Sequence, residues 1–148
     1  MKNAERLQHE ITKLMTLTPY IMFNGNCEEA LNFYAKALGG EIKELHRFEG
    51  SPAEGMSADK QKVMHAHFVA KGIFFMASDG DQSEAIAGMV HLSINFEQDG
   101  EIDTVFNNLS EGASITMPLQ DTFWGARFGM LRDQFGVNWM FNYDKPKD

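Results

Sequence analysis

The 148-residue chain is 43% hydrophobic and 23% charged, which fits one soluble domain of about 100–200 residues and excludes two full-sized ones. A formal charge of −8 without a Lys/Arg cluster excludes a surface that tracks nucleic-acid phosphates, and no window approaches the roughly 18–20 apolar residues of a membrane span. The N-terminus, Met1 to Arg6, lacks the apolar core of a signal peptide, and the single Cys27 allows no internal disulfide, so a cytoplasmic location is expected.

Leu7, Ile11, Leu14 and Met15 form an i, i+4, i+7, i+8 stripe, which predicts an N-terminal amphipathic helix over 1–16. Leu17–Phe23 is a β-prone run, broken by Asn24-Gly-Asn26 before a helical segment, Glu28–Leu38. Asn26 with Glu29 three residues on has the capping-box pattern, and Gly39-Gly40 supplies a left-handed stop. Strands are expected at Glu41–Phe48, Val63–Ala70 and Ile73–Ala77, with Lys71-Gly72 as a hairpin turn, and 49–59 reads as a loop of small and polar residues. After a polar connection from Asp79 to Ser83 the order recurs: strand Val90–Phe96, helix Glu101–Leu109 stopped near Gly112, then strands Ala113–Leu119, Ala126–Arg132 and Val137–Tyr143. Asp133–Gly136 is the last tight turn, and Asp79 and Asp133 read as turn residues.

Equivalent features recur about 70 residues apart, so the chain is an internal duplication. The expected fold is α+β, with two paired βαβββ modules (about 17–80 and 88–144) within a single domain over 17–148. They form a cupped mixed β-sheet with helices on the outside. Neither module is large enough to cover both faces of its sheet, so the faces opposite the helices are expected to enclose a shared cavity.

Several side chains are candidates for that cavity. His65 and His67 stand at i, i+2 and share one strand face, and His91 begins the next strand. Phe123 and Trp124 precede a glycine at a strand edge and suit an aromatic wall, while Arg127 offers a planar fork to an anion. Met22, Met64, Met76, Met89, Met117, Met130 and Met140 spread thioethers over the strand segments, which suits adaptable apolar contact. Cys27, at the start of a helix with no sequence-linked histidine, reads as a packing residue, and His9 and His46 read as surface residues.

The stretch Thr122-Phe-Trp-Gly-Ala-Arg-Phe-Gly129, with Asp133-Gln-Phe-Gly-Val-Asn-Trp139, Glu29–Tyr34, Leu38-Gly-Gly40, His65-Ala66 and Met76–Asp79, resembles the PhnB-like branch of the vicinal oxygen chelate superfamily. That superfamily includes glyoxalase I, bleomycin-resistance proteins and extradiol dioxygenases, and the branch is often labelled demethylubiquinone methyltransferase-like. The resemblance implies metal-ligand positions on the first and fourth strands of each module, which fall here at or beside Pro19, at His91, and near Met76 and Met140. Only His91 supplies a suitable donor, so the expected function is metal-free binding of a small molecule between modules, with His65, His67, Met76, His91, Phe123, Trp124, Arg127 and Met140 as pocket residues. The alternative is a glyoxalase- or dioxygenase-type enzyme holding zinc, iron, manganese or nickel on His65, His67 and His91. Methyl transfer is not expected, because Asn24-Gly-Asn26 is no glycine-rich cofactor turn. The resemblance also implies a homodimer.

Overall fold

The computed structural model describes residues 17–80 and 90–147, so the expected N-terminal helix and Met89 lie outside the described residues. The first module comprises β1 (Tyr20–Phe23), α1 (Cys27–Leu38), β2 (Glu41–Arg47), β3 (Val63–Ala70) and β4 (Ile73–Asp79). The second comprises β5 (Leu92–Phe96), α2 (Glu101–Leu109), β6 (Ser114–Asp121), β7 (Ala126–Arg132) and β8 (Asn138–Asp144). Each forms a four-stranded sheet, ordered β1-β4-β3-β2 and β5-β8-β7-β6. The crossover helix makes the β1–β4 and β5–β8 pairs parallel, and the remaining pairs are antiparallel hairpins. This is the expected α+β class with paired βαβββ modules.

In α1, Cys27, Ala30, Leu31, Tyr34 and Ala37 recur at helical spacing and are all buried; Ile102, Val105, Phe106 and Leu109 do the same in α2. Each stripe packs on one face of its own sheet. On β3 that face carries Ala66, Phe68 and Ala70, while His65, His67 and Val69 alternate onto the other. Gly39 ends α1 in the left-handed conformation, with φ 68°. The predicted capping box does not form. Asn26 makes no side-chain cap bond, and the Cys27 amide at the helix start instead donates to Asp79 Oδ1 (2.9 Å). Asp79 Oδ2 accepts from the Val63 amide (2.9 Å), so this buried carboxylate ties α1 to the start of β3.

The two modules meet through their helix-covered sides. Tyr34 on α1 packs edge-on against Trp139 of β8 (centroids 5.6 Å), and Phe23 and Phe33 contact Phe135 in the β7–β8 turn. The Asn108 side-chain amide at the end of α2 donates to the Ala37 carbonyl (3.5 Å). One continuous apolar core results, drawn from both modules. Among the described residues the modules join on their helix-covered sides, so the faces opposite the helices are not brought against each other.

Candidate functional site

Strand pairing defines which side chains share each open face. On the first sheet, His67 pairs with Met76, Val69 with Phe74, Tyr20 with Met76, and Met22 with Ser78. Tyr20, Met22, Phe74, Met76, His65 and His67 therefore stand on one surface. Met22 on the edge strand β1 is 57% exposed and Phe74 on β4 46% exposed, which leaves apolar area open on this surface. The His65 and His67 rings lie 4.9 Å apart, the Tyr20 hydroxyl sits 3.2 Å from His65 Nδ1, and His67 meets the Phe74 ring edge-on at 5.4 Å. His46 of β2 pairs across from His65. Burial, then the neighbouring imidazoles of His67 and His46, pull the His65 pKa below the ordinary histidine value.

The second sheet repeats the arrangement with different chemistry. Ser93 pairs with Met140, Asn95 with Asn142, Met130 with Met140 and with Met117, and Phe128 with Asn142. Its open face thus combines methionines and a phenylalanine with amides, and Asn142 Nδ2 donates to Asn95 Oδ1 at 3.2 Å. Met76 and Met140 occupy equivalent places in the two modules, each opposite the parallel first strand.

The remaining sequence candidates lie elsewhere. His91 is exposed and precedes the edge strand β5, on a different sheet from His65 and His67. Phe123 (97% exposed) and Trp124 (60% exposed) form the β6–β7 turn, where their rings meet edge-on at 5.0 Å. Arg127 points to the helix-covered side, where its guanidinium bonds Asp103 of α2 at 2.6 Å and Asp121 at 3.2 Å. The groove between the β3–β4 hairpin and β5, about 520 Å³, is lined by Lys71, Ile73, Ile94, Phe96, Glu97 and Glu101 among others and includes none of the candidates. Tyr20, Phe74 and Phe128 were absent from the sequence-derived candidates, and Met22 and Met130 stood there only among the strand methionines. The signal that reaches Phe74 is the two-residue turn Lys71-Gly72, which fixes Val69 opposite Phe74 once His65 and His67 define the face.

The metal positions implied by the superfamily do not suit a divalent ion. Met76 and Met140 bring thioethers, their first-strand partners are Tyr20 and Ser93, and His91 stands apart. Hard and borderline ions favour carboxylate and imidazole donors. His65, His67 and His91 do not converge, and among the described residues no three His, Cys, Asp or Glu side chains gather around one point. Nor is the N-terminus of α1 open to an anionic cofactor group, since the Asp79 carboxylate already occupies it. Among the described residues no helix is long and apolar enough to cross a membrane.

Comparison with known proteins agrees with this architecture. A sequence model of the family described as 3-demethylubiquinone-9 3-methyltransferase matches residues 15–141. Protein YjdN of Escherichia coli K12 is 34% identical over 144 residues, covering 90% of this chain and 98% of that protein. The crystal structure of PA1353 from Pseudomonas aeruginosa is similar with a TM-score of 0.79 and 42% identity, covering 89% of this chain and 99% of that one. A PhnB protein from Bacillus cereus is similar with a TM-score of 0.74 and 32% identity, covering 87% and 99%. Solved structures under 25% identical, described as glyoxalase, bleomycin resistance protein or dioxygenase family members, share the fold alone. The chain therefore belongs to the 3-demethylubiquinone-9 3-methyltransferase family, with a PhnB protein among its solved relatives.

Proposed function

We propose that this protein is a metal-free binder of small apolar molecules, and that its pocket is completed when the open face of the first sheet in one copy meets the open face of the second sheet in another. One observation carries the reading: among the described residues each sheet keeps a methionine- and aromatic-lined face opposite its helix, with Met22 and Phe74 exposed and Met76 half-buried on one, and Met130, Met140 and Phe128 half-buried on the other. Uncovered apolar area of this kind favours a partner surface, and two complementary half-faces per chain suit a closed homodimer. Flexible thioethers adjust to ligands of different shape, while Tyr20, His65, Asn95 and Asn142 supply a few polar contacts for orientation. Methyl transfer is not part of the reading.

The test combines sedimentation velocity with titration of the neutral fluorescent probe N-phenyl-1-naphthylamine. The expected result is a two-chain particle that binds the probe, and loss of both in the combined Met76→Glu, Met140→Glu variant. A monomer that binds no probe overturns the proposal. Elemental analysis after dialysis bears on the metal: one tightly held ion per chain would overturn the metal-free assignment in favour of the enzyme alternative.

A further inference from the structure

The open face of the first sheet has a feature beyond apolarity. Its two central imidazoles, His65 and His67, stand side by side, their rings 4.9 Å apart, amid Tyr20, Phe74 and Met76. From these data we infer that the preferred ligand is an aromatic anion, a flat apolar body with one carboxylate or sulfonate, held by the protonated His65–His67 pair with the Tyr20 hydroxyl alongside. This rests on the pocket proposed above and names the ligand class it takes.

The charged groups around the pair point the same way. On β2 the carboxylates facing this surface are already engaged, Glu41 with Lys43 (3.6 Å) and Glu44 with His46 (3.6 Å). β1 contributes no carboxylate to this surface, and β4 contributes Phe74, Met76 and Ser78. Among the described residues neither His65 nor His67 has a carboxylate partner. Two imidazoles so close oppose each other's protonation, which adds to burial, the larger cause, in lowering the His65 pKa. A bound anion removes that opposition, so it draws protons onto the pair as it binds. Phe74 and Tyr20 flank the imidazoles with ring faces and edges that accept a planar ligand body. The chain carries a net charge of −8, and among the described residues the other cations near these faces are Lys43, which pairs across from His67, and Arg132 on the open face of the second sheet.

The test compares 8-anilinonaphthalene-1-sulfonate with N-phenyl-1-naphthylamine, which has the same aromatic body without the sulfonate. Both are titrated by fluorescence into the full chain at about pH 6 and about pH 8, with thermal melts run in parallel. Because apparent affinity scales with the fraction of protein in the competent, protonated state, sulfonate affinity is expected to rise roughly tenfold at the lower pH while the neutral probe is unchanged. In the His65→Gln, His67→Gln variant the sulfonate is expected to lose its pH response, with the neutral probe titrated into the same variant to report any change in the pocket itself. That control also carries the general change in protein charge, which the variant retains. If the sulfonate shows no pH gain in the native chain, or keeps it in the variant, the inference is wrong while the pocket stands. If neither probe binds at either pH, the pocket itself is overturned.

Discussion

The Tyr34 hydroxyl donates to Asp133 Oδ2 across 2.6 Å, joining residues 99 positions apart and the two modules with them. The same oxygen accepts from Trp139 Nε1 (2.8 Å), and Oδ1 accepts from the amides of Phe135 (2.9 Å) and Val137 (3.0 Å). Asp133 is thus a turn residue, as its position between β7 and β8 implies, and also the polar centre of the joint between modules. Hydrogen bonds to a buried charge contribute about 1.5–3 kcal/mol each. Tyr34→Phe is expected to lower stability by about that amount in urea unfolding. A change below about 0.5 kcal/mol would show that the aromatic packing alone holds the modules.

The same phenol makes stability fall at high pH. Burial, then the Asp133 carboxylate, raises the Tyr34 pKa well above its ordinary 10.0. The folded chain keeps a proton that the unfolded chain loses above that value, so this contribution is complete below about pH 10 and declines as pH rises further. Alkaline unfolding followed by circular dichroism is expected to be shallower in Tyr34→Phe than in the native chain, relative to each protein's stability at neutral pH.

Cys27 is buried, and desolvation with the nearby Asp79 and Glu28 carboxylates pushes its thiol up to about 12. Thiolates, not thiols, react with alkylating and disulfide reagents. At about pH 8 the native protein is expected to be inert to Ellman's reagent, with reaction following global unfolding as urea is added. Rapid labelling without urea would place the thiol in an accessible or locally opened site.

Arg127 lies off the open face of its sheet. Its guanidinium is held by Asp103 and Asp121 on the helix-covered side. Arg127→Met is expected to cost about 1 kcal/mol or less and to leave N-phenyl-1-naphthylamine binding unchanged. A variant that folds normally but loses the probe would return Arg127 to the pocket.

Gly40 tests close packing. A Cβ there would lie 2.7 Å from the Phe68 ring and 2.7 Å from the Val69 carbonyl oxygen, and the backbone atom cannot move aside. Gly40→Ala is expected to destabilise by about 1–3 kcal/mol in urea unfolding, a case of overpacking and not of turn conformation.

What the sequence discloses follows from what is local. The hairpin at Lys71-Gly72, the helix stop at Gly39, and strands β3 and β7 stand where periodicity and turn chemistry put them, since each depends on neighbours within a few residues. The duplication set the topology, and the family motifs lie within the matched region. The capping of α1 did not follow from Asn26 and Glu29, because a residue 52 positions away, Asp79, takes the Cys27 amide. His91 and Arg127 show the same limit. Whether a strand residue faces its own helix or the open side depends on pairing register, and how the modules meet depends on contacts such as Tyr34 to Asp133 that no window of sequence contains. His65, His67 and Met76 were legible together because two strands joined by a two-residue turn have only one register that keeps Ala66 and Phe68 buried.

The helix-side joint has a consequence for counting. Each chain carries one half-face of each kind, held at a fixed angle by a single buried core. In the proposed two-fold pair every chain would be used twice, once in each compartment, so saturation would be reached at one ligand per chain and two per particle. A distortion at the joint would then be copied into both compartments of that pair at once.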